Sequence, residues 1–236
     1  MISADRLFDR SGALRRPPYR GLVREAWSFL SYHPVPPDPA DFAPGEGHVV
    51  LVVPGYFTTD AFTSPLRKFL SRCGYRAFGW NLGVNWGPTD AILGGLRRRL
   101  DRLRATTDEP VSLVGISLGG LFARDLAFDR PDDVMQVITL VSPVRLPTAS
   151  PLSTFIHLGL PFYSDAIDLD RVSKPLPMPS TAIFTRNDGL VAWQSCALDE
   201  PGSVSAEVGG QHVSVCRNPQ ALRIVAERLA AVRRTA

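Results

Sequence analysis

The chain has 236 residues, 44% of them hydrophobic, enough to bury a sizeable core and in keeping with one α/β domain. Its net charge of +3 rests on arginine, lysine occurring only at 68 and 174, and the densest basic run, Arg97-Arg98-Arg99 with Arg102 and Arg104, interleaves with Leu96, Leu100 and Leu103 as a solvated helix face does, which argues against a nucleic-acid partner. Cys73, Cys196 and Cys216 lack zinc-type spacing, no apolar run reaches the roughly 20 residues that span a bilayer, and Met1 to Glu25 holds no export-signal core, so a cytoplasmic protein without a disulfide scaffold, metal centre or membrane anchor is expected.

In chain order, residues 1–47 carry one helical stretch, Leu22 to Leu30, and then the proline-rich His33-Pro34-Val35-Pro36-Pro37-Asp38-Pro39, which reads as an extended strap on the sheet exterior. From residue 48 onward, short β-branched runs alternate with longer amphipathic ones. Strands are expected at Val49 to Val53, Tyr75 to Trp80, Val111 to Val114, Val134 to Val141, Thr181 to Thr185 and Ser203 to Val208. Helices are expected at Ser64 to Cys73, stopped by Gly74, at Thr89 to Thr106, preceded by Pro88, and at Ser117 to Phe128 and Pro219 to Arg234. The alternation predicts an α/β fold: a mostly parallel central sheet with helices on both faces, joined by right-handed crossovers. Residues 144–179 break the rhythm, being rich in proline, leucine and aromatics and long for a plain connection, and they predict a small cap over a pocket.

The third strand runs into Gly115-Ile116-Ser117-Leu118-Gly119-Gly120, which opens a helix. A serine between glycines at a strand-to-helix junction can be held on a sharp turn with its hydroxyl clear of the sheet edge, as an activated nucleophile requires. Such a serine needs a histidine base and an acid to orient it. His33 lies in the strap, His48 before the first strand and His157 in the cap segment; only His212 follows the last strand and precedes the terminal helix, where it can hang over the same sheet edge. Asp188, in Asn187-Asp188-Gly189 after the fifth strand, is the acid of choice, whereas Asp165, Asp168 and Asp170 fall in the cap segment.

An oxyanion needs two backbone donors. One is expected from Leu118 and the other from the Pro54-Gly55-Tyr56-Phe57-Thr58 loop after the first strand, with Tyr56 the donor and Phe57 the alternative. Phe57, Asn85 and Trp86, on the loops of the same edge, are expected to shape a substrate pocket, with Phe162 and other apolar cap residues forming an acyl wall. No phosphate cradle, nucleotide motif or metal-ligand cluster is present, so no cofactor is implied. Cys196 and Cys216 flank the acid and base loops, and a disulfide between them stands as an alternative to buried free thiols.

With these residues in place, positions 48 to 235 resemble the α/β-hydrolase superfamily, particularly small bacterial lipase-like and esterase-like members. The resemblance rests on Val52-Val53-Pro54-Gly55-Tyr56, Asn85-Trp86-Gly87-Pro88, Gly115 to Gly120, Val137-Ile138-Thr139-Leu140-Val141-Ser142-Pro143, Asp188-Gly189-Leu190-Val191 and Gly210-Gln211-His212. It implies Ser117 as nucleophile, Asp188 as acid, His212 as base and Tyr56 with Leu118 as oxyanion donors, acting on a small-molecule carboxylic ester through an acyl-enzyme. Pro54, Ile116 and Ser214 depart from the residues common at those places, which bears on substrate choice rather than on the reacting atoms. Thioesterase, amidase and acyltransferase activities would use the same residues, and a non-catalytic lipid- or protein-binding module is the reading from another class.

Overall fold

The computed structural model describes residues 14, 16–146, 148–151, 163–164 and 167–233. Six parallel strands form one sheet: β1 (Val49–Val53), β2 (Arg76–Gly79), β3 (Val111–Ile116), β4 (Val134–Leu140), β5 (Ser180–Phe184) and β6 (Ser203–Glu207), in the order β2-β1-β3-β4-β5-β6. The central strands are buried almost throughout because both of their faces are covered, and β1 is a continuous apolar run. Leu51 and Val53 of β1 pack with Trp80, Leu96, Leu100 and Phe122 on one side, while Val50 and Val52 pack with Leu66, Leu70, Leu222 and Val225 on the other. The period-two alternation of a strand thus serves two layers of helix.

Four long helices supply those layers: α2 (Asp60–Arg72), α3 (Asp90–Arg104), α4 (Leu118–Asp129) and α6 (Pro219–Arg233), with α1 (Arg20–Ser31) before the sheet and the single turn α5 (Leu169–Val172) between β4 and β5. Their starts are set by side-chain caps, Thr59 accepting from the Ala61 N–H at 3.2 Å, Thr89 from that of Ile92 at 3.3 Å and Asn218 from that of Gln220 at 2.9 Å. Helix α2 begins at Asp60 rather than at Ser64 and carries Pro65 in its body. The start is fixed further by the Asp60 carboxylate, which accepts from the Trp80 and Asn81 N–H groups at the end of β2.

Helix α1 buries Gly21, Glu25 and Ser28 and exposes Val23, Trp27 and Leu30, the reverse of an ordinary amphipathic surface helix. Beyond it the proline-rich strap has no regular structure before the 3₁₀ turn Pro39–Asp41, and Phe42 then docks edge-on against Phe69 of α2. The three cysteines are buried free thiols. Cys196 packs with Phe184 and Val191, whereas Cys216 packs with Val208, Val215 and Leu222, so the disulfide alternative gives way: the two belong to different apolar clusters. Burial pushes the Cys216 thiol up to about 12 and that of Cys73 up to about 11.

The strand order positions the site. After β1 the chain moves outward to β2, then returns past β1 to β3, so the loops leaving β1 and β3 part in opposite directions and open a crevice at the carboxyl ends of the strands.

Candidate active site

Ser117 sits between the end of β3 and the start of α4 with φ +52° and ψ −123°, a backbone conformation that side-chain-bearing residues rarely adopt. Its N–H donates to the Leu140 carbonyl at 2.9 Å, which ties the turn to β4. A Cβ on Gly119 would lie 2.6 Å from the Pro54 carbonyl oxygen, and one on Gly115 would run into the backbone of Gly119 and Gly120. The turn therefore closes only with glycines on its inner side. Gly55, after β1, faces Ser117 across the crevice; a Cβ there would stand 3.1 Å from that of the serine.

Asp188 and His212 come from the loops after β5 and β6. Asp188 Oδ1 accepts from the Leu190 and Val191 N–H groups, both at 2.8 Å, and Oδ2 accepts from His212 Nδ1 at 2.7 Å. With Nδ1 donating, the neutral imidazole presents Nε2 as a base. Both side chains are buried. Burial alone would lower the imidazole pKa, but the charge and hydrogen bond of Asp188, with the charge of Glu25, outweigh it, and the group is held above its usual 6.5. Ser117 and His212 line one cavity, and no hydrogen bond joins them in this structure. Thr185 Oγ1 donates to the Gly210 carbonyl at 2.8 Å and links the two loops.

Glu25 of α1 also enters here. Its Oε1 accepts from the Gly189 N–H at 2.7 Å and the His212 N–H at 3.1 Å, and Oε2 from the Val213 N–H at 3.0 Å. The one sequence signal for it is a carboxylate on the same helical stripe as Gly21 and Ser28, a face whose small residues permit close packing.

In the loop after β1, the Phe57 N–H donates to the Asn85 carbonyl at 2.8 Å, whereas those of Tyr56 and Leu118 have no acceptor among the described residues. Tyr56 is fixed from its other end, its hydroxyl accepting from that of Tyr163 at 2.8 Å. The cavity measures about 220 Å³ and is mainly apolar, walled by Tyr56, Phe57, Phe62, Leu121, Leu146, Tyr163, Ile167 and Leu190 around Ser117 and His212.

No family model and no curated protein sequence matches the chain. Solved structures do match it. One from work on LipS and LipT, two metagenome-derived lipolytic enzymes, has a TM-score of 0.60 at 15% identity, over 82% of this chain and 96% of that one. The monoacylglycerol lipase of Paleococcus ferrophilus has a TM-score of 0.56 at 16% identity, covering 81% and 97%. MGS-MChE2, an α/β-hydrolase enzyme from a sediment metagenome of the Mar Chica lagoon in Morocco, has a TM-score of 0.57 at 13% identity, covering 81% and 94%. The chain has the α/β-hydrolase fold.

On an α/β-hydrolase sheet the nucleophile, acid and base follow in the chain order in which Ser117, Asp188 and His212 occur. Phe57 is on the cavity wall, but Asn85 and Trp86 are not. Asn85 is fully buried: Nδ2 donates to the Pro54 carbonyl at 2.9 Å and Oδ1 accepts from the Gly87 N–H at 3.0 Å, so its amide is consumed in bracing the loop that carries Tyr56. Trp86 lies exposed, edge-on to Phe57. Phe162 and His157 lie outside the described residues. His48 is a buried residue at the opposite end of β1, bonded to Glu109 and to Ser112, and His33 contacts the Leu30 carbonyl. Among the described residues no group of three His, Cys, Asp or Glu could hold a metal ion, and no helix is long and apolar enough to cross a membrane.

Proposed function

We propose that the protein is a serine hydrolase that cleaves carboxylic esters through an acyl-enzyme on Ser117. The observation that carries this reading is the strained serine at the strand-order switch, facing the cavity into which an Asp188-bonded imidazole also opens. Ser117 Oγ attacks the carbonyl carbon and its proton passes to His212 Nε2. The negative oxygen so formed accepts hydrogen bonds from the Tyr56 and Leu118 N–H groups, neither of which has an acceptor among the described residues. The C–O bond to the leaving alcohol then breaks as His212 returns the proton to it. Water, deprotonated by the same nitrogen, attacks the acyl carbon, and the acid departs with Ser117 restored.

Catalytic hydrogen bonds often tighten only once substrate is bound, and Ser117 and His212 share the cavity in which that would occur. Sites for larger ligands run to about 300–1,000 Å³, so a cavity of about 220 Å³ favours a short apolar acyl group. The test is hydrolysis of a p-nitrophenyl ester series from acetate upward by wild type and Ser117→Ala. Activity greatest on short acyl chains and lost with the hydroxyl supports the reading; equal activity of the two proteins refutes it. Thioester and amide substrates run alongside assign the bond that is cleaved.

A further inference from the structure

One residue that bonds to both the acid and the base loop comes from neither of them. Glu25, 2% exposed, lies in α1, ahead of the first strand. The three N–H groups it accepts belong to the residue after the acid, to the base itself and to the residue after the base. A carboxylate taken out of water keeps its solvation only by such donors, and among the described residues those that Glu25 has are backbone N–H groups of the two loops. Gly189 is shaped to it, since a Cβ at that position would lie 2.9 Å from Glu25 Cγ. On either side α1 is fastened to the same loops: Arg24 Nη2 donates to the Asn187 carbonyl at 3.0 Å and Arg217 Nη2 to that of Phe29 at 2.9 Å.

We propose that Glu25 is a positioning residue of the active site: its carboxylate sets the Asp188 loop against the His212 loop and places a second negative charge beside the imidazole. This rests on the serine-hydrolase reading above. When Ser117 gives up its proton the imidazole becomes cationic, and the charges acting on it are those of Asp188 at Nδ1 and Glu25 behind its backbone. Burial keeps the Cys196 thiol, beside Asp188, in its neutral form, and the Arg24 and Arg217 guanidinium groups are turned to backbone carbonyls. Glu25 therefore favours the protonated imidazole without touching its ring.

The experiment is steady-state ester hydrolysis across pH by wild type, Ser117→Ala, Glu25→Gln and Glu25→Asp, with thermal midpoints measured alongside. Glu25→Gln removes the charge and one acceptor at nearly constant shape. It is expected to lower kcat by about 10- to 100-fold, the scale of an ångström-sized misplacement, with KM little changed. It also moves the acid limb of kcat/KM to lower pH. Glu25→Asp keeps the charge and the wild-type limb but loses kcat, its carboxylate being one methylene short. A merely structural residue would lower the thermal midpoint and leave the limb where it was. A folded Glu25→Gln protein with wild-type kcat and limb overturns the proposal; should Glu25→Gln fail to fold, wild-type kcat in Glu25→Asp does so. Inactive wild type, or Ser117→Ala as active as wild type, refutes instead the serine-hydrolase reading on which it stands.

Discussion

A residue in the conformation of Ser117 costs on the order of 1–3 kcal/mol and persists only where its surroundings impose it. Here the imposition comes from the glycines. Gly119→Ala puts a methyl against the Val53 and Pro54 carbonyls and is expected to destabilise the protein by about 1–3 kcal/mol, or to displace the serine, read as a lower urea midpoint together with lost ester hydrolysis. The base gives a second prediction. On the proposed mechanism His212 must be neutral to act as base, and its pKa is raised, so the acid limb of kcat/KM is expected above 6.5. The same shift has a stability consequence. A raised folded-state pKa contributes stability that is complete below the unfolded value near 6.5 and is lost as pH rises through the folded one. Asp188→Asn, which removes the main cause of the raised value, should weaken that loss of stability above pH 6.5 in urea unfolding.

At the scale of elements, β1 was legible because burial on both faces makes it wholly apolar, and the other strands and the sheet-covering helices because β-branched runs alternate with longer amphipathic ones that Thr89, Gly74 and the Gly115 to Gly120 run punctuate. The start of α2 was not, since Pro65 suits a first turn and so points to Ser64, whereas the start is fixed by Asp60 reaching the end of β2, a contact between distant segments. Asn85 misleads in the same way: an amide near a sheet edge reads as ligand-facing, and only the fold shows it turned onto backbone. Glu25 is the least legible, because nothing local pairs it and its partners lie 164 to 188 positions away.

The short helix α5 depends on a buried ion network of this non-local kind. Arg171 Nη2 donates to Asp125 at 2.7 Å and to Asp129 at 2.8 Å, and burial raises the pKa of Asp125 even so. Arg171→Met leaves the buried Asp125 with, among the described residues, Arg97 at 3.9 Å as its one remaining ion-pair partner. It is expected to cost about 3 kcal/mol of stability, measured by denaturant unfolding, and to raise KM, because Ile167 and Leu169 at that helix wall the cavity.

Over the whole molecule, one topological fact gathers residues 55, 117, 188 and 212, spread through more than half the chain, at a single rim: all six strands are parallel and end on the same side. The thiols report on the integrity of that arrangement. With all three cysteines buried and free, a thiol reagent should find no fast-reacting group in the native protein and three after denaturation without reductant; two fewer would mean a disulfide. The central claim, that Ser117 is the activated nucleophile, is tested most directly by labelling the folded protein with a fluorophosphonate and locating the adduct by peptide mass spectrometry. A stoichiometric adduct on Ser117, absent from Ser117→Ala and reduced by at least about 10³-fold in rate in His212→Ala, is the predicted result; an adduct on any other residue, or folded protein that takes none, contradicts it.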